Sequence, residues 1–268
     1  MQNNNLNQLI KDGYLYIENI LTNEEIQEFS SVIKNHHEKI KKARNNNISV
    51  EKAFWKIISN KKITDILSKS INEKIFFMDG TSSYDRNSFG RISTLQSWHR
   101  DTDSVQRIPG EVPYCKENDY YKVFTITTYL EKKTENFISL IPNSHLSNFK
   151  NSLKNYLRIF HWKTCRIKYF RFINKIIEKM ISIELEVKAG DCLIFFSTLF
   201  HKPVVKIKND KYRSALILRY APDGINAKNY VQYVLKTSSR KNIFNNENKL
   251  DFYEHLKKNN LLSKYFND

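Results

Sequence analysis

Only three cysteines, Cys115, Cys165 and Cys192, occur in 268 residues, odd in number and widely spaced. That argues against a disulfide framework and fits a reducing compartment. No apolar run approaches the roughly 18 to 20 residues needed to cross a bilayer, and the opening Met1-Gln2-Asn3-Asn4-Asn5 is polar rather than signal-like. A cytoplasmic location and no transmembrane segment are therefore expected. No internal repeat and no linker divides the chain, so one unit is expected over 1–268. Acidic residues are also scarce, with 28 Asp and Glu against 44 Lys and Arg, a net charge of +16. A basic balance favours polyanions. Yet no zinc-finger, RNA-recognition or helix-turn-helix signature is present, and the cations are spread along the chain. Lys, Asn and Ile are enriched together, a bias that base composition explains, and no specific nucleic-acid partner is expected.

What is present is the composition of a globular protein, 40% apolar and 13% aromatic. Residues 1–72 read as mainly helical. Thr22 and Glu25 form a capping box ahead of the apolar positions Ile26, Phe29 and Ile33, and a second helical pattern covers Val50 to Ile71. Short strands follow: Lys74 to Met78, Gly90 to Trp98, Lys122 to Glu131, Phe137 to Ile141, Ile183 to Val187, Cys192 to Phe200, Val204 to Lys206 and Arg213 to Ala221. Many short strands separated by turns suggest a sandwich. Residues 229–268 form a polar extension with a helix from Glu247 to Lys257.

Two histidines and one carboxylate stand out within this frame. His99-Arg100-Asp101 is followed far downstream by His201 and then Arg213. Two imidazoles and a carboxylate on three positions of an octahedron leave room for a bidentate oxo-acid and dioxygen, the arrangement typical of non-haem Fe(II) oxygenases. Context matters, because an HxD tripeptide arises readily by chance in a chain with seven histidines. The stretch from Gly190-Asp191 to His201 reads as a turn and then an apolar strand that delivers His201 at its far end. In Tyr212 to Tyr220 a side-chain period of two puts Arg213, Ala215, Ile217 and Arg219 on one face. An arginine fork there can grip a carboxylate bidentately, and Arg213, nearer His201 in the chain, is the first choice.

These segments resemble the phytanoyl-CoA dioxygenase family of Fe(II)/2-oxoglutarate oxygenases from about Gly13 to Tyr220. Gly13-Tyr14-Leu15-Tyr16-Ile17 followed by Thr22-Asn23-Glu24-Glu25-Ile26 is similar to the family's first strand and helix. Trp98-His99-Arg100-Asp101 is similar to its metal motif, Leu140-Ile141-Pro142-Asn143-Ser144-His145 to its Pro-Gly-Ser-His turn, and Gly190-Asp191 through His201 to Arg213 to its distal half. The resemblance implies a mainly β fold with flanking helices (α+β), a double-stranded β-helix of the jelly-roll, cupin-like kind. It implies His99, Asp101 and His201 as the catalytic iron ligands, and Arg213 as partner of the distal carboxylate of 2-oxoglutarate. Pro203 stands where the family often has a small hydroxyl residue that holds the oxo-acid, so Gln96, Thr127 and Tyr129 are the candidates for that contact. Asn143 replaces the turn glycine, and Asn is the residue that best tolerates a left-handed backbone after Gly. The implied activity is an oxidoreductase reaction, hydroxylation of a C–H bond with Fe(II), 2-oxoglutarate and O2. Related halogenases lack the carboxylate supplied here by Asp101, which favours hydroxylation over halogenation and leaves desaturation or epimerisation open.

A basic helix is expected over 166–180, inside an insertion spanning 146–182. Lys168, Arg171, Lys175 and Lys179 recur at three or four residues, with Ile167, Phe170, Ile173, Ile177 and Met180 opposite. Such a helix suits a lid, an acidic substrate, a peripheral membrane contact or plain surface. Together with Arg100 and Arg107 it favours a small anionic or carrier-linked substrate. The competing readings are a jelly-roll binding protein without redox activity and a nucleic-acid-binding or nucleic-acid-modifying protein.

Overall fold

The computed structural model describes residues 2–40, 44–45, 51–86, 98–101, 123–130, 137–145, 153–164, 167–204, 212–224, 227–228, 231 and 249–266. Helix α1 (Gln2–Asp12) leads into β1 (Tyr14–Ile17) and α2 (Asn23–Ile40). The expected capping box opens α2: the Glu25 amide donates to Thr22 Oγ1 and the Thr22 amide donates to the Glu25 carboxylate. After β2 (Arg44–Asn45), a 3-10 turn at Lys52–Phe54 precedes α3 (Trp55–Ile58) and α4 (Lys61–Ile71). Sequence periodicity reads this stretch as one helix. It is broken because the Asn60 carboxamide accepts from the amides of Lys62 and Ile63 and so starts a new helix, which Asn72 ends in a left-handed conformation.

The strands are β3 (Ile75–Arg86), β4 (Phe124–Tyr129), β5 (Phe137–Leu140), β6 (Ile183–Glu186), β7 (Cys192–Phe196), β8 (His201–Val204) and β9 (Tyr212–Pro222). Helices α5 (Leu153–Thr164) and α6 (Arg171–Ile181) lie between β5 and β6, and α7 (Lys249–Lys258) follows β9. Every pair among these named strands is antiparallel. They form a six-stranded sheet, β1-β7-β4-β9-β3-β2, and a three-stranded sheet, β6-β5-β8. The mainly β fold with flanking helices is thus the expected one, with two sheets rather than a closed barrel. The expected strand at Gly90 to Trp98 lies mostly outside the described residues. The expected strand from Cys192 to Phe200 ends at Phe196, where the chain turns before restarting at His201.

Alternation along the large sheet separates two cores. Cys192, Ile194 and Phe196 of β7, Phe124 and Ile126 of β4, and Leu216, Leu218 and Tyr220 of β9 pack toward the helices. The intervening Leu193, Phe195, Tyr129 and Ala215 share a second cluster with Ile138 and Leu140 of the small sheet. β7 is buried on both faces, which is why its sequence is a continuous apolar run. The inner face of β4 and β9 is where the polar side chains collect, because Thr125, Thr127, Arg213 and Arg219 share the two-residue phase of Tyr129 and Ala215.

The turn after β5 braces this arrangement. Asn143 takes φ +66°, the left-handed value the sequence anticipates. Its neighbour Ser144 accepts from the Phe200 amide through Oγ at 2.8 Å. His145 is buried, stacked on Phe196, and bonded through Nε2 to the Ile10 carbonyl. A Cβ at Gly13 would collide with the His145 ring, and Gly13 also has φ +85°, so glycine is required there. Burial pushes the His145 imidazole down to about 4. A base whose folded value lies below its unfolded value near 6.5 supports the fold above that value and withdraws support as the pH falls toward 4. Between pH 7 and 5 the loss from this group is about 2 kcal/mol. Urea unfolding of His145→Gln should therefore show a pH-dependent drop about 2 kcal/mol smaller than that of the unsubstituted protein over the same interval.

Candidate metal centre

His99 and His201 face each other across an isolated antiparallel bridge: each amide donates to the other's carbonyl at 3.0 Å. This backbone clamp sets their rings 4.4 Å apart between centroids. Asp101 follows one residue beyond Arg100, with the alternation that returns its side chain to the same side. Its Oδ1 lies 3.8 Å from His201 Nε2 and 4.0 Å from His99 Nε2. The ligand atoms of His99, Asp101 and His201 all fall within 4.8 Å of one another, and they form a group among the described residues able to hold a metal ion.

The surroundings assign each atom a direction. His201 Nδ1 lies 2.9 Å from the Leu199 carbonyl, so Nδ1 carries the proton and Nε2 presents its lone pair to the cluster. Asp101 Oδ2 accepts from Thr125 Oγ1 at 2.7 Å and lies 3.4 Å from Arg219 Nη2, which turns Oδ1 toward the two imidazoles. Thr125 is itself hydrogen-bonded to Ser197 at 2.7 Å. Arg219 sits between Asp101 and the fully buried Asp79, whose Oδ1 is 3.2 Å from Nη1. The register explains this: Arg219 pairs across β9 with Asp79 of β3 on one side and Thr125 of β4 on the other.

Burial works to raise the Asp101 carboxyl, but the Arg219, His201 and His99 charges and the Thr125 hydroxyl outweigh it and hold the group well below the usual carboxylate range. Burial, aided by the nearby His99, pushes His201 down to about 4. At neutral pH the cluster is thus one carboxylate and an unprotonated His201 imidazole, the protonation states a cation requires.

Arg213 occupies the other end of the inner face of β9. It is 9% exposed. Its Nη2 donates to the Tyr129 hydroxyl, and its guanidinium lies over the Tyr129 ring at 4.3 Å from the centroid. Among the described residues no carboxylate pairs with it, in contrast to Arg219. Thr127 is buried on β4 between Thr125 and Tyr129. Thus Arg213, Tyr129 and Thr127 share one inner face with the residues that hold Asp101, whereas Gln96 and Arg107 lie outside the described residues. The sequence alone does not single out Thr125, Ser197 or Asp79, and it puts Arg219 on the Arg213 face without giving it a partner. Period two offered a signal for Thr125, which is in phase with Thr127. The Asp79–Arg219 pairing needed the register between distant strands.

Trp98 and Phe200 precede the two histidines and stack at 5.4 Å under Ile177 and Ile181 of α6. Glu178 of α6 latches the helix: it pairs with Lys202 of β8 at 2.7 Å and with His161 of α5 at 3.0 Å. Those partners overcome burial and hold Glu178 down at about 2. Cys192 is a free, buried thiol that burial pushes up to about 12 and is inert; Cys115 and Cys165 fall outside the described residues.

No family model matches the chain, and no curated protein matches it. Solved structures do. The epimerase SnoN from nogalamycin biosynthesis, in complex with Fe3+, alpha-ketoglutarate and nogalamycin RO, is similar with a TM-score of 0.59 at 12% identity, over 82% of this chain and 83% of that one. The alpha-ketoglutarate-dependent carbocyclase SnoK gives 0.56 at 12% over 82% and 83%. Iron-bound HygX from Streptomyces hygroscopicus gives 0.56 at 14% over 82% and 86%. At such identities the likeness establishes the fold alone, the one these three structures share.

Proposed function

We propose that the chain, acting as one unit, is an Fe(II)- and 2-oxoglutarate-dependent oxygenase of the phytanoyl-CoA dioxygenase kind that hydroxylates a C–H bond of a small molecule. The observation that carries this reading is the pairing of a His-Asp-His cluster with a buried guanidinium that has no carboxylate partner among the described residues. Buried charges are paired in folded proteins, so Arg213 calls for an anion, and a dicarboxylate chelated at the cluster supplies one. The donor set fits the metal, since two imidazoles and a single carboxylate oxygen leave open positions and suit Fe(II).

His99, His201 and Asp101 Oδ1 hold the iron in this reading. Thr125 and Arg219 fix the carboxylate so that one oxygen alone faces the metal. Arg213, set by Tyr129, binds the distal carboxylate of 2-oxoglutarate, with Thr127 on the same wall. When bound, iron, 2-oxoglutarate and O2 supply the oxidation of a C–H bond, with succinate and carbon dioxide as co-products. Trp98 and Phe200, the residues before the two histidines, stack and pack under α6.

A test is 2-oxoglutarate turnover to succinate with Fe(II), ascorbate and air, comparing the unsubstituted protein with His99→Ala and Arg213→Ala. His99→Ala should abolish turnover. Arg213→Ala should raise the half-saturating 2-oxoglutarate concentration by about 10- to 150-fold, the loss of a buried charge-assisted pair. Unchanged half-saturation would remove Arg213 from its role. The epimerase and carbocyclase folds also favour a second outcome, epimerisation or ring closure, at the same centre. Incorporation of label from 18O2 into product supports hydroxylation, and turnover without it supports the second.

A further inference from the structure

Eight of the nine large apolar side chains exposed among the described residues lie between positions 156 and 180; the ninth is Leu250. Tyr169 is 94% exposed, Phe172 74% and Met180 60%. A surface helix normally buries its one apolar stripe, and α6 does so with Ile177 and Ile181, which pack over Trp98 and Phe200. It carries a second stripe that the core does not use. Phe172, Ile176 and Met180 follow each other at four-residue spacing, and Arg171, Lys175 and Lys179 run beside them one position earlier, all exposed. Rows at i, i+4 lie along one side of a helix, so an apolar row and a cationic row stand side by side on the outside of the molecule. Periodicity alone places a single apolar side opposite the cations; the structure divides it into a buried part and an exposed part.

Charge decides what covers this face. From 150 to 182 the sequence holds nine Lys or Arg and one acidic residue, Glu178, and Glu178 is already engaged by Lys202 and His161. A second copy would set the same cations against each other. Nucleic-acid interfaces are polar, and the aliphatic side chains of Ile173, Ile176 and Met180 offer nothing to bases or phosphates. A basic row beside an apolar row that the core leaves uncovered is the pattern of an interfacial helix, which sinks its apolar side chains among acyl chains while its cations meet headgroups.

We propose that the α5–α6 hairpin is a docking surface for an anionic bilayer. The hairpin rests on the residues next to both cluster histidines and is latched to β8, so a docked bilayer lies on the side of the molecule that carries the cluster. The inference does not depend on the metal or on the oxidation chemistry.

The test is co-sedimentation of the full chain with extruded vesicles of phosphatidylcholine alone and of phosphatidylcholine with phosphatidylglycerol. The protein should pellet with the anionic vesicles, and the partition coefficient should fall roughly a hundredfold in Lys168→Gln/Arg171→Gln/Lys175→Gln and about tenfold or more in Phe172→Ser/Ile176→Ser. All five side chains are exposed, so both variants should keep the unfolding midpoint of the unsubstituted protein. A control triple, Lys61→Gln/Lys257→Gln/Lys258→Gln, removes equal charge elsewhere and should retain most binding. Four results overturn the proposal: no pelleting with anionic vesicles, equal loss in the control triple, a lipid-free dimer that Phe172→Ser/Ile176→Ser dissociates, or displacement from an oligonucleotide but not from lipid in the hairpin variants.

Discussion

Asp101→Ala should lose Fe(II) affinity by more than about a hundredfold, since even residues that only orient a ligand cost 10- to 100-fold when removed. Turnover of 2-oxoglutarate should disappear with it. The same substitution should also lower the stability of the metal-free protein by about 1–3 kcal/mol, since the folded state holds the Asp101 carboxylate with Arg219 and Thr125. Arg219 keeps Asp79, 3.2 Å away on the paired strand, so the loss should stay below that of Arg219→Met. The two readouts separate a ligand from a structural anion: were Asp101 there only to neutralise Arg219, the unfolding midpoint would drop and metal affinity would be untouched. Isothermal titration with Fe(II) under anaerobic conditions and urea unfolding of the metal-free form read the two effects separately.

Arg219→Met should act in the opposite way, on the fold first. The guanidinium lies between two carboxylates, Asp79 at 0% exposure and the largely buried Asp101. Deleting one member of a buried ion pair costs about 3–5 kcal/mol, because the remaining charge stays desolvated. Methionine keeps most of the side-chain volume, so the cost measured is electrostatic rather than a cavity. The loss should shrink on acidification. The folded state holds Asp101 below the usual carboxylate range, so its ion pair stabilises fully above the unfolded value near 4 and ceases to contribute as the pH falls through the folded value. Surviving Arg219→Met protein should bind Fe(II) about 10- to 100-fold more weakly, because Oδ2 of Asp101 is then held by Thr125 without the arginine. A variant that unfolds at the same urea concentration as the unsubstituted protein would show that the triad of Asp79, Arg219 and Asp101 is not a structural keystone.

The division between what the sequence told and what it withheld follows the range of the interactions. Capping by Thr22 and Glu25, the left-handed Asn143 and the alternation that places Arg213 and Arg219 on one face are local, and each is found where the pattern puts it. The order β1-β7-β4-β9-β3-β2 is not local. Without it nothing ties Asp79 to Arg219, 140 positions apart, or Thr125 to Asp101. His99 and His201 were legible as residue types, but the bridge that faces them toward each other joins positions that are distant in the chain. The break at Asn60 is not legible for a different reason: a cap in the middle of a continuous apolar period looks like any polar residue on the exposed side of one helix. On α6 the period gives the helix but not which of its sides is exposed, since a wheel gives direction and only packing decides which direction is the core.

The measurement that bears most directly on the central claim is anaerobic addition of Fe(II) and 2-oxoglutarate to the metal-free protein, followed by visible absorbance and by equilibrium binding of each component. The account predicts one Fe(II) per chain, and 2-oxoglutarate binding that requires the metal. It also predicts a charge-transfer band that vanishes in His99→Ala and needs far more 2-oxoglutarate in Arg213→Ala. A folded protein that binds Fe(II) without 2-oxoglutarate, or neither, would contradict it and leave a jelly-roll binding protein in its place.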